Sequence, residues 1–582
     1  MSAPASNFRL RVEAHLGALY PERDAGALAG ELLAAMRLDE STPTPEQFRN
    51  YWDPSDVWVI SYGDSVVEDG QPGLRSLRGF LNAHLAPEIT GVHVLPFFPY
   101  TSDDGFAVSD YLSVREDLGD WGDLRALAQE RRLMSDLVIN HCSAEHLWFR
   151  NYCAGESPGR DYFVEMDPGA DLRAVVRPRT SALLRPTETR DGLRYVWCTF
   201  SHDQIDLNFA NPAVLLEFVR IIRHYLDQGV RVFRFDAVAF LWKQEGSSSL
   251  NLPQTHEVVR LLRCLIEHED PSALIITETN IPNRENLSYF GNGNEAHLVY
   301  NFSLPPLLLF SLVSGRCGAL KRWIMSMPPA RNGTTYLNFL ASHDGIGLRP
   351  AEGLLDEQEI DALIALAERS GGQVSWRALD NGQRRPYEIN IALYDALQGH
   401  LDGPDAFGFE RFVCAHAIML ALEGIPAFYI HSLIGTRNDH ALVAKTGHAR
   451  SINRHRWERP ALEAVLSDPA DTHGRVLTAL KSLIRIRAQQ PAFHPNATQF
   501  TLHLGEQIFA FWRQSMDRRQ SIFVLNNISR EPQSVSLTEL NLIVTDSWYD
   551  LIGGRVYEGI EEKIELAPYQ TVWITNKPAE GF

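Results

Sequence analysis

The chain has 582 residues, 45% of them hydrophobic and 22% charged, which bounds it as a globular protein large enough for more than one structural unit. A formal net charge of −19 without a long basic run argues against nucleic acid or an anionic membrane as partner; an anionic ligand would need local Arg or Lys. The cysteines (Cys142, Cys153, Cys198, Cys264, Cys317, Cys414) form no CxxC pair, so neither a zinc cluster nor a redox motif is signalled. So few in a long chain fit a reducing, cytoplasmic compartment. The opening MSAPASNFRLRVEAHLG has no apolar core of the secretory type, and no window approaches ~18 uninterrupted apolar residues, so no membrane span is expected.

Residues 8–50 show helical apolar spacing in FRLRVEAHLGALY and AGALAGELLAAMRL. Eight short apolar or β-branched runs then alternate with helix-like segments: VWVISYGD (57–64), VHVLPFF (92–98), LMSDLVINH (133–141), VRVFRFD (230–236), LIITE (274–278), HLVYNF (297–302), YLNFLASHD (336–344) and AFYIHS (427–432). That alternation predicts an α/β fold, a (β/α)8 TIM barrel. Two intervals are too long for simple βα units, residues 142–205 after the third run and 345–410 after the seventh, and both are expected to be insertions that shape a site. From about residue 496, TQFTLHLGEQIFAFWRQ and RQSIFVLNNIS alternate and predict a C-terminal antiparallel β domain. The expected organisation is N-terminal helices and early barrel (1–141), inserted domain (142–205), barrel (206–344), second insertion (345–410), end of barrel (411–495) and β domain (496–582). No repeat of solenoid period and no low-complexity tract is seen.

Three of the later runs end in an acid. Asp236 closes GVRVFRFD, Glu278 closes ALIITE and Asp344 closes YLNFLASHD. The C-terminal end of a barrel strand is where this fold places its chemistry. Arg234 lies two residues before Asp236, on the same face of a strand, and would keep it ionised as a nucleophile. Glu278 follows LIIT, where partial desolvation favours the neutral form that a general acid needs. His343 beside Asp344 can donate to a sugar hydroxyl, and the glycines that follow permit close backbone approach. Each motif has a plain structural alternative: an Arg–Asp pair, a rim Glu held by an Arg, a helix N-cap Asp. The order Asp, Glu, Asp on strands four, five and seven is more specific, and suggests glycosyl transfer through a covalent sugar–enzyme intermediate.

DLVINH, RFDAV, TET and SHDGIG resemble the four signature regions of the α-amylase family, glycoside hydrolase family 13, and the likeness covers nearly the whole chain. LPFFPYTSDDGFAVSDY, VRPRT, FSHDQIDLNFANP and ARSINRHRW are similar to its sucrose phosphorylase subfamily; PYTSDDGF, ITETN and NGNEAHLVYNFSLPPL resemble the glucosylglycerate phosphorylase branch. The resemblance implies Asp236 as nucleophile, Glu278 as acid/base and Asp344 as the grip on the glucose hydroxyls. Asp104 and Arg450 would close the blind end of a one-glucose pocket. His141, His343, Arg234 and Gln204 would hydrogen-bond the sugar, with Phe106 and Phe200 as apolar walls. Arg179 in VRPRT and Tyr387 in RPYEIN match the positions that receive phosphate.

Two departures touch the acceptor. Asn280 stands where sucrose phosphorylases usually have His, and Arg384 and Arg385 flank Tyr387. Extra arginines would suit an anionic acceptor such as glycerate. The resemblance therefore implies a hexosyltransferase, a retaining phosphorylase of 2-O-α-glucosylglycerate, with inorganic phosphate as second substrate. The alternatives are sucrose, sucrose 6′-phosphate or glucosylglycerol as substrate, or a plain α-glucoside hydrolase. A non-enzymatic scaffold is disfavoured because such relatives usually lose a catalytic carboxylate. No cofactor is expected, no metal is expected near Asn140, and the chain is expected as monomer or homodimer.

Overall fold

The computed structural model describes residues 8–39, 42, 44–178, 181–378, 384–540, 547–559 and 562–577. The eight apolar runs form the parallel strands of a closed barrel: β1 (Trp58–Ser61), β2 (Gly91–Val94), β3 (Arg132–Val138), β4 (Val230–Asp236), β5 (Leu274–Thr277), β6 (Leu298–Tyr300), β7 (Thr335–Asn338) and β8 (Ile425–Tyr429). Each pairs with its neighbours in chain order, and β8 closes on β1 with Trp58 opposite Ala427. Helices cover the outside and side chains fill the inside, so these strands are buried on both faces and read as apolar runs rather than as alternation. Register is tight where β1 meets β2: Gly91 lies opposite Trp58, and a Cβ there would sit 2.4 Å from the indole ring.

Local signals set the helix starts. Asp120 and Asp123 form a reciprocal capping box on helix Trp121–Glu130, and Asn211 caps Pro212–Asp227, whose first residue is proline. The two N-terminal helices, Phe8–Leu19 and Ala25–Met36, pack on the outer helices that flank β4.

Between β3 and β4 the chain builds the helix Leu147–Ala154, a hairpin (Leu184–Thr189 with Gly192–Trp197) and a short pair joining His141–Ser143 to Gln204–Asp206. After β7 come the helix Glu357–Arg369 and a hairpin of Gln373–Ala378 with Arg384–Asn390, extended by Ile346–Gly347. Both lie on the side where the strands end. At the C-terminus a six-stranded antiparallel sheet begins at Thr498. It is anchored by Arg513, fully buried, which donates to the carbonyl of Ala421 at 2.6 Å. Among the described residues no helix is long and apolar enough to cross a membrane.

Candidate active site

The ends of β3, β4, β5 and β7 converge with both insertions on a cleft of about 500 Å³. Its walls include Asp236, Glu278 and Asp344, together with Phe106, His141, Phe200, Gln204, Arg234, Asn280, His343, Tyr387 and Arg450. Residues separated by more than 300 positions thus meet at one opening because their strands are parallel.

Asp236 is 7% exposed and accepts a hydrogen bond from Arg234 at 2.7 Å. Arg234 also bonds Asp136 on β3, which in turn faces His93 on β2 at 2.7 Å. This chain across three strands fixes the guanidinium and, through it, the carboxylate. Just past Asp236 the backbone turns through Ala237 at φ 50°, a left-handed conformation that an alanine adopts only under constraint. The turn aims the Ala237 N–H at Glu278, 3.1 Å from Oε2. The two carboxyls are therefore neighbours.

Burial pushes both carboxyls upward in pKa; Glu278 adds to the rise at Asp236 and Asp344 to that at Glu278, while Arg234 works against both shifts. The arginine's hydrogen bond falls on Asp236, whereas Glu278 receives a single backbone N–H. Asp344 differs: against burial, Arg450 and His343 hold it well below the usual carboxylate range, with the Arg450 contact at 2.6 Å. The site thus presents two neighbouring carboxyls raised by burial and one anion locked to an arginine.

The surrounding side chains are neutral donors and flat walls. Burial lowers His343 to about 3 and also lowers His141, so both imidazoles are uncharged near neutrality. Phe106 stacks on His343 with ring centres 5.1 Å apart. Gln204 reaches His141 at 3.2 Å and Asp103 at 3.1 Å.

Some expected residues fall elsewhere. Asp104 was expected beside Arg450, but it pairs with Arg454 and lines an adjoining cavity; its neighbour Asp103 enters the cleft. Both aspartates have positive φ, 54° and 48°, and this double left-handed turn decides which faces inward. Arg384 and Arg385 are exposed and line a separate cleft with Trp376 and Glu352. Arg179 lies outside the described residues. Sequence reasoning missed Asp103, His93 and Asp136, and also Glu388, whose carboxylate binds Arg450 at 2.8 and 2.9 Å. Asp136 was within reach, since it sits in DLVINH; a buried Glu in an insertion carries no such signal.

Behind the cleft, Lys243 places its ammonium 2.6 Å from Asn140 and 2.8 Å from Asp206. The pair is almost fully buried, with side-chain exposures of 2% and 0%. A side-chain cation thus already occupies the oxygen-lined position beside Asn140.

A closed (β/α)8 barrel with acids at the ends of its fourth, fifth and seventh strands defines an enzyme class that breaks and makes glycosidic bonds with retention. Residues 87–346 match the alpha amylase catalytic domain. The chain is 41% identical over 99% of its length, and 100% of the relative's, to a glucosylglycerate phosphorylase of Allomeiothermus silvanus. It is 40% identical to a glucosylglycerate phosphorylase of Escherichia coli, over 90% of this chain and 93% of that one. A crystal structure of sucrose 6F-phosphate phosphorylase from Thermoanaerobacter thermosaccharolyticum superposes with a TM-score of 0.71 at 23% identity, over 82% of this chain and 94% of that one, and speaks for the fold. The chain belongs to the α-amylase family, glycoside hydrolase family 13, in the group that holds the glucosylglycerate phosphorylases.

Proposed function

We propose that this chain catalyses the reversible phosphorolysis of 2-O-α-glucosylglycerate to α-glucose 1-phosphate and glycerate. The observation that carries the reading is the convergence of Asp236, Glu278 and Asp344 on one cleft, in a chain similar along its whole length to glucosylglycerate phosphorylases. Asp236 attacks the anomeric carbon, and the bond to the glycerate oxygen breaks as Glu278 gives that oxygen its proton. Phosphate then attacks the same carbon, the ester to Asp236 breaks, and Glu278 regains a proton from the incoming phosphate. Two inversions give net retention.

Asp344, kept anionic by Arg450, grips the glucose hydroxyls and stabilises the positive charge that develops on the ring. His141, His343 and Gln204 supply hydrogen bonds to the sugar, Phe106 and Phe200 its walls, and Asp103 with Arg450 the blind end. Tyr387 and Asn280 stand on the acceptor side, where Arg179 would join them for phosphate. Six free cysteines support a reducing, cytoplasmic setting.

The test is to incubate the enzyme with 2-O-α-glucosylglycerate, with and without phosphate, and to follow products by NMR. The α anomer of glucose 1-phosphate should form only with phosphate. Free glucose released at the same rate in both would make the protein a hydrolase.

A further inference from the structure

The arginines around the cleft differ in how they are paired. Arg234 is paired with Asp136 and Asp236, Arg450 with Asp344 and Glu388, and Arg454 with Asp104. Each is committed to holding another residue in place. Arg349 is not. Half-buried just after β7, its side chain makes no hydrogen bond and no ion pair among the described residues.

Its position relates it to the acceptor side. Leu348 donates its N–H to the carbonyl of Tyr387 at 3.0 Å. Gly347 lies so close to Asn280 that a Cβ would come within 3.1 Å of its amide. Tyr387 and Asn280 both line the catalytic cleft, so residues 347–349 run along its edge. The charges that act on Arg349 are those of Arg377, Glu352, Tyr387 and, from the helix after β5, Glu285. Arg377 is bound to Glu352 at 2.7 Å, and its Nε is buried without a partner. Two partly buried guanidiniums thus oppose each other's charge in a chain of net charge −19. An oxyanion placed between them would offset a repulsion that the protein leaves only partly compensated.

Distance from the reacting carbon selects which anion. Phosphate must bond that carbon directly, beside Asp236 and Glu278. The carboxylate oxygens of a 2-hydroxy acid lie one bond farther from the transferred carbon than the free oxygens of phosphate. Arg349 follows Leu348, which is bonded to Tyr387 of the cleft wall, so it stands on the edge toward which the more distant group would extend. We propose that Arg349 binds the carboxylate of the acceptor acid, supported by Arg377. This assignment rests on the phosphorylase reading above, and it moves recognition away from Arg384 and Arg385.

The experiment compares D-glycerate with glycerol, the acceptor without the carboxylate, in synthesis from α-glucose 1-phosphate. For R349Q the ratio of kcat/KM for glycerate to that for glycerol should fall by about tenfold or more, the scale of one charged hydrogen bond, chiefly through KM for glycerate. R349K should recover part of the loss, and R385Q should keep the ratio of the unaltered enzyme. An unchanged ratio in R349Q, or a loss that appears in R385Q instead, overturns the proposal. Should R349Q fail to fold by its thermal melt, R377Q decides: a lower ratio supports the assignment and an unchanged one overturns it. An unaltered enzyme with no preference for glycerate would overturn the function reading itself, before any variant is assayed.

Discussion

At Asp236 two influences oppose each other. Burial and the nearby Glu278 resist its charge, while the Arg234 hydrogen bond at 2.7 Å supports it. Replacing Asp236 by Asn keeps the shape and removes the proposed nucleophile. D236N should lose roughly 10⁴-fold or more in kcat while its melting temperature stays near that of the unaltered protein. Retained turnover would take Asp236 out of the nucleophile role. In the proposed mechanism Glu278 must be protonated to release glycerate, and its pKa is raised by burial. Phosphorolysis should therefore fall as pH rises through that value, and the alkaline limb of the kcat profile should lie above the ordinary Glu range of about 4.3. A limb at or below that range would contradict the assignment. At this scale the acids were legible because each ends an apolar run. The choice between Asp103 and Asp104 was not: both precede Gly105 in DDGF, and only the left-handed backbone at the two residues settles which one faces inward.

The elements that carry these residues are held by buried polar ties. Lys243 joins Asn140, just past β3, to Asp206 at the end of the first insertion, and Asp206 also accepts from the N–H and hydroxyl of Thr199 at 2.9 and 2.6 Å. Removing the ammonium leaves a buried carboxylate without its cation. K243M should destabilise the protein by roughly 3–5 kcal/mol, read as a lower midpoint in urea unfolding. A change within about 0.5 kcal/mol would show the tie to be dispensable. The barrel strands were legible for a simple reason: burial on both faces leaves continuous apolar runs such as LIIT. The hairpin that presents Tyr387 was not, because its strand RRPYEIN is polar at one end and its register shifts between Ser375 and Trp376. Spacing alone therefore could not show that Arg384 and Arg385 point away from the cleft.

Over the whole molecule, several histidines are buried as neutral groups. Burial lowers His343 and His431 to about 3 and His146 and His416 to about 4, against about 6.5 in an unfolded chain. Below that value the unfolded chain takes up protons that the folded one refuses, so stability falls with falling pH. The melting temperature should drop steadily from pH 6.5 to about 4; a flat profile would mean that these rings protonate in place. The same molecule-wide arrangement, parallel strands delivering acids to one cleft and insertions framing it, is what makes transfer to a chosen acceptor possible. The measurement that addresses this most directly is phosphate release from α-glucose 1-phosphate with D-glycerate, glycerol, fructose, fructose 6-phosphate or no acceptor. The account predicts fast release with glycerate and slow release with every other member of the panel. Fast release with fructose, or the same slow rate throughout, would contradict it.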